Sequence, residues 1–394
     1  MSRLDDFTDE EREILSTVRR FVAREVRPHV ARLEREGAYP EALVAAMAGL
    51  GLFGMAVPEA HGGLGLRLPV FARVMELIAA GWTTLAGYLN SHSTVCHLVA
   101  AHGTEEQKAR LLPALAEGRE RGALCLTEPA AGSDLRAIET RAVPCPEGYR
   151  LSGRKIFVTN GGRATLLAML ARTPAPAAEP KRDISLFLVA KNTDGISVAG
   201  TFHKMAYDLV DTVEILAEDA PVSPADLLGG RAGAGLGQLL DGLELGRIAI
   251  AASAVGLAAS ALAEARRYAS ERRAFGVTID QHQAIQLRLA DMATRLVAAR
   301  LLTAEAARAR DTGARADMLS GMAKLFASEA CLAIVDDALR IHGGYGYIAD
   351  YAIERLYREA PLYIVGEGTN DIQKLVIARR LSDPADAAIM DLPQ

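Results

Sequence analysis

The chain has 394 residues, half of them apolar and 24% charged, a soluble globular composition that can bury a large core and is too long for one core alone. Its 44 basic and 49 acidic side chains leave a formal net charge of −5, which offers no electrostatic footprint for nucleic acid or for an anionic membrane. The four cysteines, Cys96, Cys125, Cys145 and Cys331, form no CxxC pair and lie far apart, so they read as small buried side chains in a reducing cytoplasm.

The opening "MSRLDDFTDEE" is acidic and has no apolar stretch behind it, so neither a secretory nor a transit peptide is expected there. The longest runs free of both charged residues and histidine, 42–58 and 248–263, are rich in Ala and Gly and fall short of a membrane span. Over residues 8–121 the period is helical: Thr8 precedes acids and then apolar residues at three and four spacing, and "GTEEQKARLLPALAEG" opens in the same way. Between 122 and 230 it changes to short β-branched and aromatic runs, "RKIFVTN", "DISLFLVA" and "DTVEILA", separated by turn residues. The Pro- and Ala-rich stretch at 172–183 reads as an exposed loop. After "GGRAGAGLG" the helical period returns and persists to about residue 381 in long Ala-rich helices of a bundle, some with faces apolar enough to need a partner chain. The expectation is an α+β chain: a helical domain (1–121), a middle β-sheet, barrel-like domain (122–232) and a C-terminal four-helix bundle (233–394).

The "GAGLG" joint lacks the preceding strand and βαβ repeat of a dinucleotide fingerprint and reads as a linker. The eight histidines show no HxxxH or HExxH spacing, so no metal site is expected. "CLTEPAAGSDLRA", residues 125–137, packs hydroxyls and free backbone NH groups into a turn that could hold a polar ring edge and phosphate oxygens, or could be an ordinary capped turn. "FVTNGG", 157–162, places a hydroxyl beside an aromatic at a strand end. "HGGYGYIADYAIERLYREA" joins a glycine turn to a charged helix, fitting either close approach of a ligand or a helix C-cap. In "YIVGEGTNDIQ", Asn370 reads as an N-cap with Gln373 three residues on, which sets Glu367 on a glycine-flanked loop at a helix start. The dipole favours its carboxylate and burial against a ligand would oppose it, a balance that suits a general base; a capping or solvated acid is the alternative.

These elements occur together and in order, and the sequence resembles the acyl-CoA dehydrogenase family over residues 8–383. "CLTEPAAGSDLRA" satisfies that family's first signature, and the second fits at Gly343, Gly344, Gly346, Tyr347, Asp350, Arg355 and Glu359. "ERRAFG" and "GEGTNDIQ" stand at their usual places.

The resemblance implies noncovalent FAD at a subunit interface of a homotetramer, a dimer of dimers. Leu126 and Thr127 would contact the flavin ring with Phe157 beside it, Thr159 would bond near N5, and Ser133 would meet the pyrophosphate and the substrate. The partner subunit's Arg272 and Phe275, with Gln283, Gly344 and Thr369, would hold the ADP half, where Arg340 and Asp371 also fall. Glu367 would take the α-proton of an acyl thioester while hydride passes from the β-carbon to the flavin, giving a trans-2-enoyl product, with Gly366 and Gly368 letting the loop close on the substrate. The thioester oxygen would be met by the base's own backbone NH and a ribityl hydroxyl. Glu244 and Arg247 match a pair that contacts the CoA end, although an i,i+3 surface ion pair would give the same spacing. Electron-transfer flavoprotein would be the acceptor and the cytoplasm the compartment.

Four positions depart from the family pattern: Arg340 for the usual Gln or acid, Phe157 for Trp, "HKMAYDLVDT" without its usual Arg, and Gly366 where Tyr or Leu is common, which leaves more room near the reacting carbons. Residues 81–95, expected to line the acyl pocket, hold no Lys or Arg, which disfavours dicarboxylic acyl groups and points to a short or α-branched one. An acyl-carrier-protein substrate or a flavin monooxygenase of the same fold are the competing activities; Glu367 argues against the second. A nucleic-acid-binding relative would need a basic extension, and the chain closes instead on "DPADAAIMDLPQ".

Overall fold

A computed structural model describes residues 6–175, 179, 182–313 and 315–382. Most of the Pro-rich part of the 172–183 loop, and all of 383–394, lie outside the described residues. In chain order the N-terminal helices are α1 (Asp9–Phe21), α2 (Val30–Glu36), α3 (Glu41–Gly49), α4 (Leu68–Gly81), α5 (Thr83–His102) and α6 (Glu105–Ala116). The strands follow: β1 (Gly122–Cys125), β2 (Arg141–Cys145), β3 (Gly148–Thr159), β4 (Leu166–Arg172), β5 (Ile184–Ala190), β6 (Ile196–Thr201) and β7 (Thr212–Val222). Then come α7 (Gly235–Glu271), a hairpin of β8 (Arg273–Ala274) and β9 (Val277–Thr278), α8 (Gln283–Asp311), α9 (Asp317–His342), α10 (Ala352–Glu359), α11 (Leu362–Val365) and α12 (Asn370–Leu381). Helix, sheet, helix is the order the sequence periods imply.

The expected starts of α1 and α6 are both closed by reciprocal capping boxes, Thr8 with Glu11 and Thr104 with Gln107. At "GAGLG" helix α7 begins at Gly235, so it takes up part of the expected linker. No strand feeds that turn: β7 ends at Val222 and two 3-10 turns intervene.

The described chain forms two compact units, each drawn from separate stretches of sequence: one from described residues within 36–66 and 87–246, the other from those within 6–35, 67–86 and 247–382. The first, the sheet unit, holds one mixed sheet in the order β1-β4-β2-β3-β7-β6, with β5 on the other flank of β4. Strands β4 and β5 read as nearly continuous apolar runs because both their faces are covered. Alternate residues of β4 serve two cores: Leu166, Ala168 and Leu170 pack with Val95, Leu98, Leu112 and Leu115 of α5 and α6. Leu167, Met169 and Ala171 pack with Phe187, Val213 and Ile215.

The second, helical unit is built on α4, α7, α8 and α9, with α10 and α12 against α9. Gly256 of α7 lies where a β-carbon would stand 2.3 Å from the Glu76 carbonyl oxygen, so α7 and α4 meet backbone to backbone. By length and composition two helices among the described residues, Gly235–Glu271 and Asp317–Tyr347, are apolar enough to cross a membrane, with mean hydropathy of 1.8 and 1.5, a point that counting uncharged runs misses. Their apolar windows are 78% and 61% buried, as in core helices.

Candidate active site

In the sheet unit the two predicted flavin-ring segments are the exit of β1 and the end of β3. A buried ion pair joins them: Lys155 Nζ donates to Glu128 Oε1 at 2.7 Å and to the Leu126 carbonyl at 3.1 Å. The side chains are 1% and 4% exposed. Glu128 also accepts from the backbone N–H of Glu139 and of Thr140. Burial pushes its carboxyl up, but the bonds from Lys155 and Thr140 outweigh that and leave it below the usual range. The Ile156 N–H bonds the Thr127 carbonyl at 2.8 Å, completing a three-point attachment.

Just past Lys155 the β3–β7 register shifts, and Phe157 takes a left-handed backbone, φ 55°. Such a bulge re-aims a side chain, and the ring of Phe157 is 58% exposed, 4.9 Å from that of Phe202. Thr159 ends the strand half-buried. The next residue, Asn160, also left-handed, donates to the Gly87 carbonyl at 3.0 Å and to Ser91 Oγ at 3.2 Å, anchoring the motif to α5. Ser133 is exposed in the turn after β1. His92 of α5 is buried and structural: its Nδ1 accepts the Gly122 N–H that opens β1, and its other ring nitrogen lies 3.1 Å from the Phe53 carbonyl. Glu244 is half-buried in the sheet-unit part of α7.

In the helical unit Glu367 stands between α11 and α12. The expected N-cap is corrected: Thr369 caps α12, its hydroxyl accepting from the Ile372 N–H. Asn370 is buried one residue inside, where its side chain bonds Lys324, Ser328 and Glu329 of α9. Gln373 turns back and donates to the Gly368 carbonyl at 3.0 Å. Of the flanking glycines, Gly368 is left-handed, φ 81°, whereas Gly366 is extended and Glu367 itself carries the other left-handed turn, φ 54°. The loop is half-buried. Arg247 is 5% exposed, which removes the surface ion-pair reading for it.

Arg272 and Gly344 come together on a cavity of about 550 Å³, walled by Tyr268, Ile279, Tyr345 and Ile348. The Arg272 guanidinium lies 5.5 Å from the Tyr345 ring centroid. At Gly343 and Gly344 nothing stands within 4 Å of where a β-carbon would be, so bare backbone faces open space. Phe275 and Gly276 form the two-residue turn between β8 and β9, both with positive φ, and the Phe275 ring is 96% exposed. Gln283 is exposed at the first turn of α8.

Not every expected residue reaches the cavity. Arg340 is on an exposed face of α9, paired with Asp336 at 2.7 Å, and Asp371 is paired with Lys374 at 3.1 Å. Arg355 and Glu359 of the second signature form an inward ion pair at 2.9 Å, with burial pushing the Glu359 carboxyl up; they hold the fold. Sequence reasoning missed Glu128, Lys155, Lys324 and the tyrosine walls. Lys155 could have been found, because strand alternation from Leu151 puts it on an inward position, where a lysine needs an acid.

Compared with known proteins, the sequence matches the family descriptions "Acyl-CoA dehydrogenase, N-terminal domain" over residues 8–119, "middle domain" over 123–220 and "C-terminal domain" over 233–382. An acyl-CoA dehydrogenase of Bacillus subtilis is 39% identical over 375 residues, covering 95% of this chain and 98% of that one. The caffeyl-CoA reductase–Etf complex subunit CarC of Acetobacterium woodii is 35% identical over 377 residues, covering 95% and 99%. The solved structure of butyryl-CoA dehydrogenase from Megasphaera elsdenii superposes with a TM-score of 0.91 at 32% identity, covering 95% and 99%.

Proposed function

The chain belongs to the acyl-CoA dehydrogenase family, oxidoreductases that act on the CH–CH bond beside a thioester carbonyl, and from that premise we propose that it binds FAD and uses Glu367 to take the α-proton of a short acyl-CoA. The observation that carries this reading is conformational. Six non-glycine residues have positive φ among the described residues, and three of them are Phe157, Phe275 and Glu367. Each is a side chain for which this backbone is unfavourable, and each stands where the family places a cofactor contact or the base.

The residues present fit FAD. Arg272 offers a fixed cation for pyrophosphate, the bare backbone at Gly343 and Gly344 admits a close approach, and Tyr268 and Tyr345 wall the same cavity. Bound FAD supplies the hydride acceptor. Leu126, Thr127, Phe157 and Thr159 would hold its ring at strand ends fixed by the Glu128–Lys155 pair. The exposed ring of Phe275 suits a contact with the cofactor of a partner subunit, in line with a homotetramer.

Glu367 works from a loop whose two ends and middle are tied down, so its carboxylate is presented with little freedom to lose on binding. The N-terminus of α12 just beyond it favours the ionised form needed to accept the α-proton. Gly366 leaves space beside the reacting carbons. The buried Arg247 would serve as a cation for the CoA portion. Electron-transfer flavoprotein is the acceptor we expect, consistent with the relative named for an Etf complex.

The test is an anaerobic titration of the purified flavoprotein with acyl-CoAs of increasing length, following the oxidised flavin band. Bleaching by butyryl- or isobutyryl-CoA in the wild type, absent in Glu367→Gln, is the expected result. A flavin that no acyl-CoA reduces would overturn the substrate class, and reduction retained by Glu367→Gln would move the base elsewhere.

A further inference from the structure

Helix α9 presents Gly321, Lys324 and Ser328 along one face, the face against which the Glu367 loop and the start of α12 are packed. A lysine on such a face is unusual, because burying an ammonium is costly unless it is paired. Lys324 is fully buried. Its Nζ donates to the Ile364 carbonyl at 3.0 Å, before the loop, and to Asn370 Oδ1 at 2.7 Å, after it. One ammonium therefore spans both ends of the segment that holds Glu367 in its left-handed conformation.

We propose that Lys324 is the positioning residue for the base: it fastens the Glu367 loop at both ends and supplies the positive charge that keeps the Glu367 carboxylate ionised as the site is closed by substrate. The proposal rests on Glu367 being the base. The charges facing Lys324 are Glu367 on the loop, Arg247 on α7 and Glu329 on α9. The Lys324 ammonium is lowered to about 8: burial is the largest cause, opposed by Glu367, reinforced by Arg247 and opposed by Glu329. Coupling between two sites is reciprocal, so a carboxylate that stabilises this ammonium is stabilised by it in turn. Asn370 transmits the geometric half of the effect, since it is held by Ser328 and Glu329 as well and would keep its place if only the charge were lost.

The experiment is single-turnover flavin reduction across pH in the holoenzyme, using the acyl-CoA that reduces the wild type fastest, with acyl-CoA binding measured separately by spectral perturbation. In Lys324→Met the acid limb of the reduction rate is expected to move up by about one pH unit while acyl-CoA affinity changes by less than about threefold. In Ser328→Ala, which loosens Asn370 and leaves the charge, the limb stays where it is. Lys324→Arg covers the case in which the Met variant does not fold: a guanidinium does not titrate, so a change near pH 8 is expected in wild type and expected to be absent from Lys324→Arg. An unmoved limb in Lys324→Met, or identical alkaline behaviour of wild type and Lys324→Arg, would overturn the proposal. Full reduction by Glu367→Gln would overturn the assignment of the base instead, a distinguishable failure.

Discussion

Glu128 and Lys155 meet at 2.7 Å in the interior of the sheet unit and fasten the turn that carries Leu126 and Thr127 to the strand that carries Phe157 and Thr159. Breaking one partner leaves a buried uncompensated charge, so Lys155→Met is expected to cost about 3–5 kcal/mol of stability and to lower flavin retention. Exchanging both, Lys155→Met with Glu128→Gln, should recover most of the stability. Urea unfolding together with the flavin-to-protein absorbance ratio measures both quantities; a single variant with wild-type values would show the pair to be idle.

Glu367→Gln keeps the size of the side chain and removes its basicity. Turnover is expected to fall by about 10²–10⁴-fold with acyl-CoA affinity little changed, read by steady-state kinetics beside spectral binding titrations.

Arg272→Ala should purify with depleted flavin, because it removes a cation that lines the cavity. Phe275→Asn is a sharper probe. Asn suits the left-handed first position of a two-residue hairpin turn, so thermal stability without flavin should rise, by up to about 1 kcal/mol, while flavin affinity falls. A variant that gains stability and holds flavin as before would detach Phe275 from the cofactor.

Burial pushes the His92 imidazole down to about 4. An unfolded histidine titrates near about 6.5, so between these values the unfolded chain holds a proton that the folded chain refuses. Stability therefore falls as pH drops through that window. Wild type is expected to lose about 1.4 kcal/mol more per pH unit there than His92→Gln, and parallel slopes in denaturant unfolding from pH 7 to 4 would contradict this.

The order of secondary structure was legible because it rests on periodicity and on caps such as Thr8 and Thr104, which act within a few residues. The candidate site could be named as positions, since motifs carry residue identity, but the forces holding those positions could not. Asn370 illustrates the difference: as a sequence it is a capping residue, and only the packing of α9 beneath it turns it into a buried link between Lys324, Ser328 and Glu329. Lys324 lies 43 positions before Glu367, beyond the reach of any local pattern. The glycines beside Glu367 suggest a bend, yet nothing in "GEG" says that the acid itself takes the left-handed turn. Arg340 is the converse case, a residue placed at the cofactor by its motif position whose side chain is engaged with Asp336 one helical turn away.

The backbone at Glu367 also makes a statement about selection. A left-handed non-glycine residue costs about 1–2 kcal/mol relative to glycine, and at this position glycine would extend a run already begun by Gly366 and Gly368. A laboratory screen that rewarded heat resistance alone would thus favour replacing Glu367, and on the proposed function would return a sturdier, yellow, inert protein. On the function proposed above, the chemistry of the acid is what offsets that cost.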